Sequence, residues 1–178
     1  MNDIVVDWVV DTMKWLVKTA KDDYACNRHP KVAGALLIPV HNDSKSIFAG
    51  VHSAFYGNTI PAIEDTCKKV GCDIEYTVLP EDILDARAGL VNAFHTHCVR
   101  TVHAEQRAID IAARDGVPID GATLFSVLRP CYQCSKHIVV AGIRKIYFAG
   151  TVYNEERTRK LLRENGVECT FIEAGLEY

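Results

Sequence analysis

His103-Ala104-Glu105 and, after 24 intervening residues, Pro130-Cys131-Tyr132-Gln133-Cys134 are the stretch on which the reading of this chain turns. One histidine and two cysteines can hold one Zn²⁺ and leave a fourth position open to water. Three protein ligands with an open position is the arrangement of a catalytic zinc, whereas structural zinc sites are closed by four. Glu105 stands two residues beyond the histidine, where it can move protons at that water without ligating the metal. Cys131 and Cys134 are three apart, so on a helix they share one face and can chelate one ion. A helix start at each motif would add partial positive charge and unsatisfied N–H groups, which favour thiolates. The alternative is a buried thiol pair and a core histidine that happen to fall in this order. It gives no reason for Glu105 and Pro130 to stand where they do.

Outward from the motif, the periodicity is helical over 102–113 and ends at Asp115-Gly116. Residues 122–128 read as a buried strand. Pro130 suits the first turn of a helix, where its missing N–H costs nothing. That helix runs to Ala141, with Gly142 as its C-cap. A strand at 145–149, an amphipathic helix at 155–165 stopped by Gly166, and a last strand at 168–172 complete the C-terminal half. Upstream, Val6, Val9, Val10, Met13, Leu16 and Val17 recur at helical spacing, predicting an amphipathic helix over 3–22 capped by Asn2 or Asp3. Residues 33–40 and 46–51 read as two strands of a hairpin turning at 41–45. Residues 52–98 are the least regular part, and an insertion of that length is functional or a local subdomain. The alternation of strands and helices predicts one α/β domain over 1–178. Its architecture is a three-layer α/β/α sandwich around a mixed central sheet of about five strands.

The 178 residues suffice for one domain with a sizeable core, and 48% hydrophobic with 24% charged residues predicts an ordered, globular chain. The net charge of −3 argues against a nucleic-acid partner, which calls for a basic excess. Seven cysteines, an odd number, do not read as a secreted disulfide framework. No basic start marks a secretory signal, and no apolar run reaches the ~20 residues of a membrane span. The expectation is a soluble, cytoplasmic protein.

The combination H-x-E…P-C-x-x-C resembles the signature of the zinc deaminases. By that chemistry, hydroxide formed at the zinc attacks the carbon bearing an exocyclic amine, and Glu105 accepts the water proton and delivers protons to the ring and the leaving ammonia. More closely, the stretch from His97 through Cys98-Val99-Arg100-Thr101-Val102-His103-Ala104-Glu105-Gln106 is similar to the "HCVRTVHAEQ" string of the deoxycytidylate (dCMP) deaminases, in particular their competence-associated bacterial branch. The resemblance runs from about Cys26 to Val167. It implies a cytidine deaminase-like fold, hydrolysis of dCMP to dUMP and ammonia, and a homo-oligomer, a hexamer or a dimer. It also implies dCTP and dTTP as effectors, with Mg²⁺ on the triphosphate.

Asn58-Thr59-Ile60-Pro61-Ala62 is similar to the family's "NGxPxG" substrate loop, which implies that Asn58 hydrogen-bonds the sugar; on its own the residue reads equally as an asparagine held in a turn. Arg28 matches a family arginine near the phosphate, and alone reads as a solvated charge. Ala104 belongs to the substrate-binding motif, and Tyr153 is a candidate to stack on the base or simply to pack. Three positions depart from the family pattern: Thr59 replaces a glycine, Arg107 an asparagine and Arg129 a small or apolar residue. Both arginines are expected near the pocket, where they bind an anionic group of the substrate or point to solvent. Cys67-Lys68-Lys69-Val70-Gly71-Cys72 with His97-Cys98 is similar to the "CxxxGC…HC" of the competence branch, which implies a second, structural zinc. Its candidate ligands are Cys67, Cys72 and Cys98, with Cys26 or His97 as the fourth; the other reading is reduced buried cysteines. The remaining alternatives are a deaminase of another cytosine nucleoside, nucleotide or base, and a non-catalytic zinc- or nucleotide-binding regulator.

Overall fold

The computed structural model describes residues 3–22, 34–40, 55–58, 60–61, 74–78, 94–98, 101–150 and 156–175. The apolar stripe of α1 (Asp3–Asp22) lays Val9, Met13, Leu16 and Val17 against Leu36, Phe125 and Val127, which project from one face of the central sheet. Those last three belong to β1 (Gly34–Ile38) and to the strand Thr123–Leu128. Period-two alternation sends Leu124 to the opposite face, where it packs with Ala104 and Ala108, with Ile138 and with Leu162. These residues sit on α2 (Ala104–Arg114), α3 (Tyr132–Val140) and α4 (Glu156–Glu164) respectively. Among the described residues, one helix on one face and three on the other make the three layers expected from the sequence.

Among the described residues the central sheet has five strands. At one edge is β2 (Phe55–Asn58), antiparallel to β1, which is antiparallel in turn to β7 (Thr123–Leu128). β8 (Lys145–Gly150) and β9 (Glu168–Phe171) continue in parallel from β7. Parallel neighbours need a long return path, and α3 and α4 supply it after β7 and β8. The strand expected at 46–51 lies outside the described residues; the described antiparallel partner of β1 on that side is β2.

The segment 52–98 is more regular than its sequence suggests. Besides β2 it carries β3 (Ile60–Pro61), β4 (Ile74–Val78) and β5 (Phe94–Cys98). β3 pairs with β6 (Thr101–Val102), just ahead of His103, and β4 pairs with β5 in a separate antiparallel ribbon. Strands of two to five residues are too short for a period-two pattern to stand out, and their pairing is with distant segments.

Two turns near the site follow from local chemistry. Cys131 caps α3 in extended conformation (φ −69°, ψ 169°), its Sγ accepting the Cys134 N–H at 3.5 Å. Pro130 therefore precedes the cap instead of occupying the first helical turn, a correction to the sequence reading, and it holds Arg129 away from helical conformation. At the other end of α3, Ile143 N–H reaches Ile138 C=O and Gly142 N–H reaches Val139 C=O, a Schellman closure with Gly142 at φ +76°. A Cβ at Gly142 would meet the Asp120 carboxylate and approach the Asp120 Cα at 3.2 Å. Gly142→Ala is expected to cost about 1–2 kcal/mol for the left-handed backbone, read as a lower Tm at unchanged metal content. No described helix is long and apolar enough to cross a membrane.

Candidate active site

α2 and α3 start side by side beyond the carboxyl end of β7, and their first residues carry the motif. His103 is the N-cap of α2 in extended conformation (φ −64°, ψ 148°), and its side chain makes no capping bond, which leaves the imidazole to face α3. His103 Nδ1 lies 3.5 Å from Cys131 Sγ and 3.3 Å from Cys134 Sγ. Among the described residues these three form a metal-ligand group, their donor atoms all within 4.8 Å of one another. The separations fit zinc: tetrahedral bonds of ~2.3 Å to sulfur and ~2.05 Å to nitrogen place the donors about 3.6 Å apart. One imidazole and two thiols are also the ligand types that zinc prefers.

Glu105, in the first turn of α2, is buried at 7% exposure. Its Oε1 accepts the Ser126 hydroxyl at 3.4 Å, and its Oε2 lies 3.7 Å from Cys134 Sγ. Burial raises its pKa above the usual carboxylate range, against the opposing pull of the His103 charge. A buried carboxyl beside the metal ligands is placed to take and return a proton. The sulfurs divide one proton unequally. The hydrogen bond from Cys134 brings the Cys131 thiol down to about 3, with His103 assisting. The same bond and burial push Cys134 up. For His103, burial works against the charged form, but the bond to Cys131 and the nearby Glu105 and Cys131 charges outweigh it and raise the pKa.

The structure brings together His103, Glu105, Cys131 and Cys134, as the spacing implies. Ala104 is buried at 2% exposure in the core, so its side chain packs and only its main chain is left to meet a ligand. Asn58 ends β2, paired with Gly34; β2 runs against α2, which places Asn58 on the flank of the helix that carries Glu105. His97 and Cys98 end β5, opposite Glu75 and Ile74. Cys26, Arg28, Cys67, Cys72 and Tyr153 lie outside the described residues.

Ser126 escaped the sequence reading, since nothing in a buried strand marks one serine as facing a residue 21 positions upstream. Tyr132 is flanked by cations: the Arg157 guanidinium is 4.5 Å from its ring centre and Lys136 Nζ 5.4 Å. Arg129 stacks over Phe148, its guanidinium carbon 4.4 Å from the ring centre.

A family model described as the cytidine and deoxycytidylate deaminase zinc-binding region matches residues 6–150. ComE operon protein 2 of Bacillus subtilis (strain 168) is 39% identical over 77 residues, 43% of this chain and 41% of that protein. The deoxycytidylate deaminase of Enterobacteria phage T2 is 41% identical over 68 residues, 38% of this chain and 36% of that protein. The chain thus spans about two fifths of the length of these curated relatives. Among solved structures, the dCMP deaminase of cyanophage S-TIM5 in complex with dCMP and dUMP superposes with a TM-score of 0.57 at 23% identity, covering 97% of this chain and 99% of that one. That likeness establishes the cytidine deaminase-like fold.

Proposed function

The chain belongs to the cytidine and deoxycytidylate deaminase zinc-binding family, and from that premise we propose that it hydrolyses dCMP to dUMP and ammonia. The observation that carries the reading is the buried Glu105 carboxyl, with Oε2 3.7 Å from Cys134 Sγ at the edge of the His103–Cys131–Cys134 triangle. His103, Cys131 and Cys134 would hold a zinc ion, which when bound would supply Lewis-acid activation of water. Glu105 accepts the proton of the attacking water, protonates the ring nitrogen next to the reacting carbon, and passes a proton to the departing amine. Water adds its oxygen to the carbon, the carbon–nitrogen bond breaks, and ammonia leaves. Ser126 orients the carboxyl through Oε1. Ser126→Ala is expected to lower kcat about fivefold at unchanged KM, the worth of roughly one neutral hydrogen bond.

The substrate assignment follows the resemblance of the sequence around Asn58 and His97–Gln106, together with the dCMP deaminases among the relatives. In this reading Asn58 binds the sugar, Arg28 the phosphate, Tyr153 the base and the Ala104 main chain the ring. A second zinc sits on Cys67, Cys72 and Cys98 with Cys26 or His97, and closes the insertion. The protein is a cytoplasmic homo-oligomer that responds to dCTP and dTTP with Mg²⁺. The test is ultraviolet-monitored turnover of dCMP, deoxycytidine, CMP and dCTP by zinc-loaded protein, with metal content measured in parallel. Turnover of dCMP well above deoxycytidine and two zinc per chain are expected. Silence on dCMP overturns the substrate, and one zinc per chain overturns the second metal.

A further inference from the structure

β7, α3 and β8 form a parallel strand–helix–strand unit, and Cys131-Tyr132-Gln133-Cys134 opens its helix. A Cys-x-x-Cys pair at that place in such a unit is an arrangement of thiol–disulfide exchange as well as of metal binding. The local backbone suits it. Cys131 is the N-cap of α3, and its Sγ accepts the Cys134 N–H at 3.5 Å, so its side chain folds back over the first turn toward Cys134. The two sulfurs and His103 Nδ1 all lie within 4.8 Å of one another. The pair is also graded in depth, since Cys131 keeps 6% exposure and Cys134 has none. One sulfur is marginally open to solvent and the other lies behind it, the layout of an attacked thiol backed by a resolving one.

We propose that Cys131 and Cys134 are a site of reversible oxidation, which hydrogen peroxide closes to a disulfide with loss of the active-site zinc. A metal-ligating cysteine is a thiolate. Peroxide transfers one oxygen to the Cys131 thiolate, its O–O bond breaks, and hydroxide leaves, giving a sulfenic acid. The Cys134 sulfur then attacks that sulfur, the S–O bond breaks, and the oxygen departs with the Cys134 proton as water. The two sulfurs lose two electrons and the peroxide gains them. A disulfide offers no thiolate, so His103 is the one donor of the three that remains, too few to hold zinc. Thiol reductant with added zinc restores the site. The inference rests on zinc at these three donors and not on which substrate is deaminated.

The experiment titrates zinc-loaded protein with hydrogen peroxide. Thiols are mapped by mass spectrometry after alkylation, and released zinc is followed with a chromophoric chelator. The peptide carrying both cysteines should lose two hydrogens while Cys169, an exposed cysteine on β9 whose thiol form is favoured by a raised pKa, stays reduced. Zinc release should rise with the disulfide fraction, and both should reverse on reduction with zinc present. Cys169→Ser should behave as the parent does. The proposal is overturned if the pair stays reduced while Cys169 oxidises, or if Cys131 runs on to a sulfinic acid that the reductant does not reverse. A disulfide formed with zinc fully retained overturns it equally. The thiol map is read without turnover, so failure to deaminate dCMP would overturn the substrate reading and leave this result standing.

Discussion

Zinc-loaded Glu105→Gln should deaminate dCMP about 10²- to 10⁴-fold more slowly than the parent, the range by which a positioned proton carrier accelerates a reaction, while its zinc content and Tm stay put. Glutamine has the shape of glutamate, and its carbonyl can still accept the Ser126 hydroxyl that Oε1 accepts at 3.4 Å. His103, Cys131 and Cys134 are untouched, so the metal has no reason to leave. What disappears is a group able to take a proton and give it back. Burial raises the pKa of the Glu105 carboxyl, and glutamine has no titrating proton to exchange. The measurement is a steady-state rate with metal analysis on the same sample. A variant with full activity and bound zinc would remove Glu105 from the mechanism.

Glu105 was legible in the sequence because metal chelation constrains residue type and spacing together. His103 must end a loop at a helix start, Cys131 and Cys134 must share a helical face, and the acid must follow the histidine closely. The helices were legible for a similar reason: the stripe of Val9, Met13, Leu16 and Val17 needs only 3.6-residue periodicity to be seen. What depends on distant pairing was not. That β1 runs antiparallel between β2 and β7 follows from pairings with partners well outside its own segment, and in the case of β7 with one far along the chain. Ser126 meets Glu105 only because the pleat of β7 turns alternate residues toward α2. Arg129 adjoins the Pro-Cys motif in sequence, but it lies just past the end of β7 and stacks over Phe148. The insertion hid its strands because each is short and half of its pairing information lies in a partner strand.

Removal of one sulfur should have the larger structural consequence. Cys134→Ala is expected to lose the active-site zinc, to show no measurable deamination, and to melt roughly 6–12 °C lower. That interval corresponds to about 3 kcal/mol in a chain of this size. Cys134 is fully buried, and its sulfur touches both His103 Nδ1 at 3.3 Å and Glu105 Oε2 at 3.7 Å. Alanine leaves a carboxyl and an imidazole in the interior with fewer partners and no third ligand, and a metal that binds only the folded state no longer adds its binding energy to stability. Calorimetry of parent, chelator-treated parent and variant, each with and without added zinc, checks this. The variant should melt below the zinc-loaded parent and take up no active-site metal when zinc is added, whereas the chelated parent should recover. Were the variant to keep its active-site zinc, Cys134 would be removed from the ligand set.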